Sequence, residues 1–413
     1  MSEKAKAPAI RFKGFIDSWE QHKVNELLVE RNIQAPKNED YPLMAFVAYE
    51  GVAQKGDRYN REFLVTDGIN KKYKRTEFGD FIYSSNNLTT GSIGLNKYGN
   101  ASISPVYSIF HPTEIADSDF IGRSFIRKDF INKMIRWRQG VIYGQWRIHE
   151  SDFLKIETTI PSVDEQVKIG KLFDKLDNLI TFHQRKLLKL INIKKAMLEK
   201  MFPKSGDNVP EIRFSGFADA WEQRKLSSLC SMHARIGWQN LRTSEFLDSG
   251  DYYLITGTDF EDGQINFNIC HYIDKARYDQ DRKIQLSNGS ILITKDGTLG
   301  KVAYVEALDK PATLNAGVFN VRTKSENVDS KYLFQYLKAP FLMDYVDSKA
   351  TGGTIKHLNQ NILVDFPVNL PSVEEQRAIG EYFQNIDNLI TLHQRKLDKL
   401  KNLKKACLEK MFV

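Results

Sequence analysis

Six loop-like segments carry the residue types that recognise a polyanion. The first half of the chain holds KKYKR (71–75), SSNNLTTGSIGLNKYGN (84–100) and RWRQGVIYGQWR (136–147). The second half holds TKDGTLGKV (294–302), LNAG (314–317) and ATGGTIKHLNQ (350–360). Lys and Arg neutralise phosphates, while Asn, Gln, Ser and Thr hydrogen-bond to base edges. Glycine lets a backbone approach a duplex, and loops on a rigid scaffold are where binding residues concentrate. The residues expected to touch DNA in the first half are Lys74, Arg75, Ser85, Asn86, Asn87, Lys97, Tyr98, Arg138, Tyr143, Gln145 and Arg147. Those in the second half are Lys295, Thr298, Lys301, Asn315, Thr354, Lys356 and His357. Arg138, Gln145 and Arg147 lead the set. The competing reading is that Gly, Asn and Ser simply make turns. A net charge of +7 and a pI near 9.0 suit a polyanionic partner.

The chain carries no recognisable machinery for altering DNA. It has neither a GxxxxGK[ST] phosphate loop nor a GxGxxG fingerprint. The Asn/Asp-Pro-Pro-aromatic motif of amino-methyltransferases is missing, and none of the 23 glutamates has a lysine two places on, as a Glu-x-Lys nuclease site requires. Cys230, Cys270 and Cys407 never form a CxxC pair, which argues against a disulfide framework or a zinc site. The conspicuous histidines, His183 and His393, have no metal-ligand companion nearby in sequence. No apolar run approaches a bilayer span and Met1–Ile10 is not signal-like, so a cytoplasmic protein without membrane contact is expected.

The elements that position these loops are written twice. Residues 161–202 align without a gap to 371–412, with 29 identities in 42 pairs. A shorter match pairs RFKGFIDSWEQHKVNEL (11–27) with RFSGFADAWEQRKLSSL (213–229), 10 identities in 17. The inserts between these blocks look almost unrelated. A fixed frame with diverged inserts implies one assembly role performed twice and two different recognition tasks. The organisation expected is a first recognition domain at 1–160, a long helix at 161–202 and a linker at 203–212. A second recognition domain follows at 213–370, then a second long helix at 371–413.

Each long helix opens on an S-x-x-E capping box, Ser162/Glu165 and Ser372/Glu375. Apolar residues then recur at steps of four and three. In the first copy they are Ile169, Phe173, Leu176, Ile180, Leu187, Leu190, Met197 and Met201, interrupted by His183 and Lys194. The second copy repeats them as Ile379, Phe383, Ile386, Ile390, Leu397, Leu400, Cys407 and Met411, interrupted by His393 and Lys404. Matching breaks favour two helices that pack together over two lying on separate cores. A two-fold relation between repeats makes the pair antiparallel and brings the end of the second helix beside the first front block. Trp19 and Trp221, in the front blocks, are packing anchors.

The inserts mix strands and short helices. YLITGTDF (253–260), GSILITKDG (289–297) and KVAYV (301–305) read as strands, and 329–346 as a helix broken near Pro340. GDFIYSSNN (79–87) is the counterpart of 289–297, and FIRKDFINKMIRWRQG (125–140) is placed opposite 329–346. The fold class expected is α+β: two mixed α/β domains joined by two long helices in an antiparallel coiled coil, with a pseudo-two-fold internal repeat.

This layout resembles the specificity subunit of type I restriction–modification systems over nearly the whole chain. The resemblance rests on a duplicated helical segment opening P-S-x-x-E-Q, separating two target-recognition domains. GDFIYSS and GSILITKDGTLG are similar to the family's GDIL-type strands and Gly-rich loops, although the first copy has SNNLTTGSIG in place of the compact KDGTLG. The resemblance implies a non-catalytic subunit that binds double-stranded DNA, each domain reading half of a divided asymmetric site. It implies partners too: two modification subunits that methylate adenine with S-adenosylmethionine, and restriction subunits that use ATP and Mg. The alternative is a coiled-coil scaffold or regulator with non-specific DNA binding.

Overall fold

A computed structural model describes residues 7–54, 71–141, 145–204, 206–237, 241–349 and 357–413. The chain divides into two compact units, and the division does not fall between the repeats. The first comprises Met1–Phe182 with Leu397–Val413, and the second His183–Lys396. Each unit therefore contains one insert, the start of one long helix and the end of the other.

In the first unit the central sheet is antiparallel, with strands in the order Leu28–Glu30, Ser108–Pro112, Phe81–Tyr83, Ile93–Leu95. The second unit repeats that order with Cys230–Ala234, Val318–Thr323, Ile291–Thr294 and Val302–Tyr304. GDFIYSSNN and GSILITKDG thus occupy the same place. The units differ in what is added: the first has the sheet Gln34–Ala35, Tyr73–Thr76, Ala101–Ile103, the second His271–Tyr272, Tyr253–Ile255, Ala312–Leu314 with one parallel pair. Each addition has its own small apolar core.

Two expectations for the inserts need correction. YLITGTDF is not one strand: Tyr253–Ile255 gives way to a 3₁₀ turn at Gly257–Asp259 before Phe260–Glu261. The Asp259 carboxylate causes the break by accepting from the Thr256 N–H at 2.7 Å and its hydroxyl at 3.1 Å. The partner of 329–346 begins earlier than 125. Asp117 and Asp329 are matching N-caps, accepting from the N–H of Phe120 and Tyr332 at 2.9 and 2.8 Å. Helices Ser118–Phe125 and Lys128–Ile135 therefore match Ser330–Lys338 and Pro340–Ser348, the latter pair broken at Pro340 as expected.

The long helices run Val163–Lys200 and Val373–Lys410. Their seam is legible as packing. Ile169, Phe173, Leu176, Ile379, Phe383, Ile386 and Leu397 are buried, while Ile180, Leu187, Leu190, Ile390 and Leu400 are half-buried. In the first unit the start of the first helix packs on the end of the second, with Phe173 5.9 Å from Phe412. In the second unit Phe383 stacks 5.9 Å from Phe202, the repeat-equivalent contact. The helices are antiparallel. Trp19 lies edge-on to Phe120 and Phe412, and Trp221 to Tyr332 and Phe202. The Ile10 N–H donates to the Lys410 carbonyl, and the Ile212 N–H to that of Lys200, both at 2.9 Å.

The polar interruptions of the seam find partners. His183 and His393 meet with their Nδ1 atoms 2.8 Å apart. Lys194 binds both oxygens of Asp387 at 2.6 and 2.8 Å, and Lys404 binds the equivalent Asp177. Burial, together with the nearby Lys338, pushes the Lys194 ammonium down to about 8.

The capping-box expectation fails for its glutamates. Glu165 is fully buried and receives the Arg11 guanidinium in a two-pronged pair, both contacts at 2.7 Å; Glu375 holds Arg213 identically. The hydrogen bond to the carboxylate, against a smaller desolvation cost, raises each guanidinium above its ordinary value. The adjacent Gln166 and Gln376 accept from the N–H of Asp117 and Asp329 and donate to the carbonyls of Pro161 and Pro371. The E-Q of the repeat thus fastens front block and insert to the long helix.

Candidate nucleic-acid interface

In the first unit the structure brings two of the named segments together. Gln139–Val141 pairs antiparallel with Gln145–Arg147 as a two-stranded ribbon, with Gln139 opposite Arg147. Gln145, Trp146 and Arg147 are all exposed. The loop after Phe81–Tyr83 meets this ribbon. Asn86 Oδ1 accepts from the Trp146 N–H at 2.5 Å and Ser85 Oγ from the Ile148 N–H at 3.0 Å. Asn87 is exposed beside them. Arg138, at the foot of the ribbon, has Nε and Nη2 buried with no acceptor among the described residues, and burial lowers its pKa. Exposed Trp137, beneath the Lys155 ammonium, adds an aromatic face.

Three other first-half candidates, Lys74, Arg75 and Lys97, have partners within the protein. Lys74 is buried in its strand, with its ammonium on the Tyr107 carbonyl at 2.9 Å. Arg75 lies over the Tyr41 ring, 4.4 Å from its centroid. Lys97 faces the long helix, bridging Asp119 and Asp174 at 2.8 Å each, so its charge is already matched. Tyr98 is exposed on the same turn. Tyr143 lies outside the described residues.

The second unit gathers three of its named segments at the end of strand Ile291–Thr294. The Lys295 N–H donates to the Gly317 carbonyl and its own carbonyl accepts from Leu358, both at 2.8 Å. The Asn315 N–H donates to Ile255 at 2.9 Å. Thr298 and Lys301 are exposed on the loop that Thr294 braces. His357 is exposed, with Nδ1 2.6 Å from Asp296. Asn315 Oδ1 is buried with no partner among the described residues. Thr354 and Lys356 lie outside the described residues.

Sequence reasoning missed two contributors. Buried Arg235 donates from Nε to the Leu314 carbonyl at 2.8 Å, holding the Asn315 loop in place. Asp296 places an acidic group among basic candidates. No local pattern marks either role, because both depend on contacts made by chain distant in sequence. Among the described residues no group of three or more His, Cys, Asp or Glu side chains is placed to hold a metal ion. No helix among them is long and apolar enough to cross a membrane.

The fold defines a class: two unlike recognition domains, each presenting basic and amide-bearing loops, on a duplicated frame built around paired helices. The family follows from comparison. Residues 17–192 and 218–402 each match the family described as "Type I restriction modification DNA specificity domain", and the chain belongs to it. Over 354 residues it is 24% identical to the MjaVIII specificity subunit of Methanocaldococcus jannaschii, covering 82% of this chain and 81% of that one. The EcoBI specificity subunit of Escherichia coli is 22% identical over 196 residues, 46% of this chain and 41% of that one. The fold matches the crystal structure of a type I restriction–modification S subunit from M. genitalium, with a TM-score of 0.62, at 14% identity. That match covers 98% of this chain and 99% of the other. The protein is a DNA-binding specificity subunit of a type I restriction–modification system with two recognition domains.

Proposed function

We propose that each recognition domain reads one half of a divided, asymmetric DNA site, and that the long helices space the domains and dock methyltransferase subunits. One observation carries this reading: the frame contacts recur residue for residue in both units, whereas the loops they support differ. A shared frame is what two copies of one partner require. Unlike loops are what two unlike half-sites require. A seam of 33 residues spans about 50 Å, roughly fifteen base pairs at ~3.4 Å each.

Support for docking comes from the run NLITFHQRK (178–186) and its copy NLITLHQRK (388–396). Only Ile180, His183 and their copies are required by the seam, yet Leu179, Phe182, Leu389 and Leu392 are 38–50% exposed. Apolar side chains kept in water in both copies suit a partner protein. The subunit itself is non-catalytic in this reading and binds no cofactor. Partner subunits supply adenine methylation with S-adenosylmethionine and, where restriction subunits join, cleavage with ATP and Mg, all in the cytoplasm.

Methylome sequencing of a host expressing the chain with its modification partner tests the reading. The expected result is methylated adenine in one divided, asymmetric motif, with no methyl transfer by the purified chain alone. Methylation of a continuous or palindromic motif refutes it, as does activity of the chain by itself.

A further inference from the structure

The exposed ribbon of the first domain is held in place by a neighbouring loop. A two-stranded ribbon by itself is marginally stable in water. Here the strand Gln145–Arg147 has a second attachment, because Asn86 takes the Trp146 N–H and Ser85 the Ile148 N–H. The ribbon is therefore fixed while Gln145, Trp146 and Arg147 face solvent. Trp146 is 49% exposed, although it is the largest apolar side chain available. At the ribbon's foot two nitrogens of Arg138 are buried with no acceptor among the described residues, an arrangement that costs free energy.

We infer that this ribbon is the reading element of the first domain, and that Asn86 and Ser85 are positioning residues that hold it rather than base contacts. A two-stranded ribbon fits the major groove of B-DNA. Gln145 and Arg147, one residue apart on either side of Trp146, share a ribbon face and present amide and guanidinium groups that pair with adenine and guanine. The inference rests on the half-site assignment above.

The two roles of Asn86 separate by chemistry. Reading adenine takes both the donor and the acceptor of the amide. Holding the Trp146 N–H takes only an acceptor, which aspartate also offers. The chain is expressed with its modification partner, and methylation is mapped for Arg147→Ala, Asn86→Ala and Asn86→Asp. Arg147→Ala is expected to relax one position of a single half-site. Asn86→Ala should lower discrimination across that half-site by about 10-fold, with the other half unchanged. Asn86→Asp should restore discrimination, even if its added charge weakens binding to all sequences alike. If Asn86→Asp is as defective as Asn86→Ala, Asn86 reads a base and the positioning role is wrong. If all three variants leave both half-sites unaltered, the ribbon is not the reading element. A parent protein that methylates no divided site refutes the half-site assignment instead, which keeps the two failures apart.

Discussion

Replacing Glu165 or Glu375 with glutamine distinguishes two meanings of the repeated S-x-x-E motif. Glutamine serves a capping box as well as glutamate does, so a capping role predicts almost no change. The observed role is different. Each carboxylate is 1% exposed and takes both prongs of an arginine that is itself 12–14% exposed. The amide is neutral, has one acceptor oxygen, and turns an NH₂ group towards the guanidinium. Breaking a buried pair from one side costs about 3–5 kcal/mol, and the slight exposure of the arginine argues for the lower end. At about 2–4 °C per kcal/mol for units of this size, Glu165→Gln should lower the melting transition of the first unit by roughly 6–12 °C. Glu375→Gln should do the same to the second. Scanning calorimetry of the full chain measures both. Replacing Arg11 and Glu165 together with methionine should recover much of the loss, since apolar substitution of both partners is often neutral. The reasoning is refuted if both glutamine variants melt within ~1 °C of the parent.

Three further outcomes are expected. Phe412→Ala should destabilise the first unit by about 3–5 kcal/mol, because Phe412 is 4% exposed against Trp19, Phe120 and Phe173; limited proteolysis should show that unit cleaved first. Burial, then the charges of His183, Lys396 and Lys186, hold His393 below its ordinary value of 6.5. Its contribution is therefore complete above pH 6.5 and lost as the pH falls through the lowered value, so melts at pH 7.5 and 5 should differ less in the His183→Gln, His393→Gln double variant. Exchanging residues 28–160 for the corresponding insert of a related protein should change one half of the methylated motif and preserve the other, as methylome sequencing would report.

Much of the frame was legible because its signals are local or repeated. The seam from Ile169 to Leu190 follows from helical periodicity alone. The break at Pro340 follows from a ring that disfavours a helical conformation in the residue before it. GDFIYSSNN was matched correctly to 289–297, whereas the helical counterpart of 329–346 was set to begin later than it does, and the polar breaks at His183 and Lys194 marked an interface. The site was less legible. Basic and amide side chains share a composition whether they face DNA or the protein, and only packing separates exposed Arg147 from Lys74, whose ammonium is spent on Tyr107.

The amino-acid sequence by itself determined that this protein has two unlike inserts on one repeated frame, because duplication and periodicity are properties of residue order. Tertiary structure alone decided how that frame is fastened. Glu165 meets Arg11 across 154 positions, Lys194 meets Asp387 across 193, and Asn86 meets Trp146 across 60. Such pairs leave no periodic trace. Each partner is chosen by what the folded chain brings within hydrogen-bonding distance, and burial then fixes what the contact is worth.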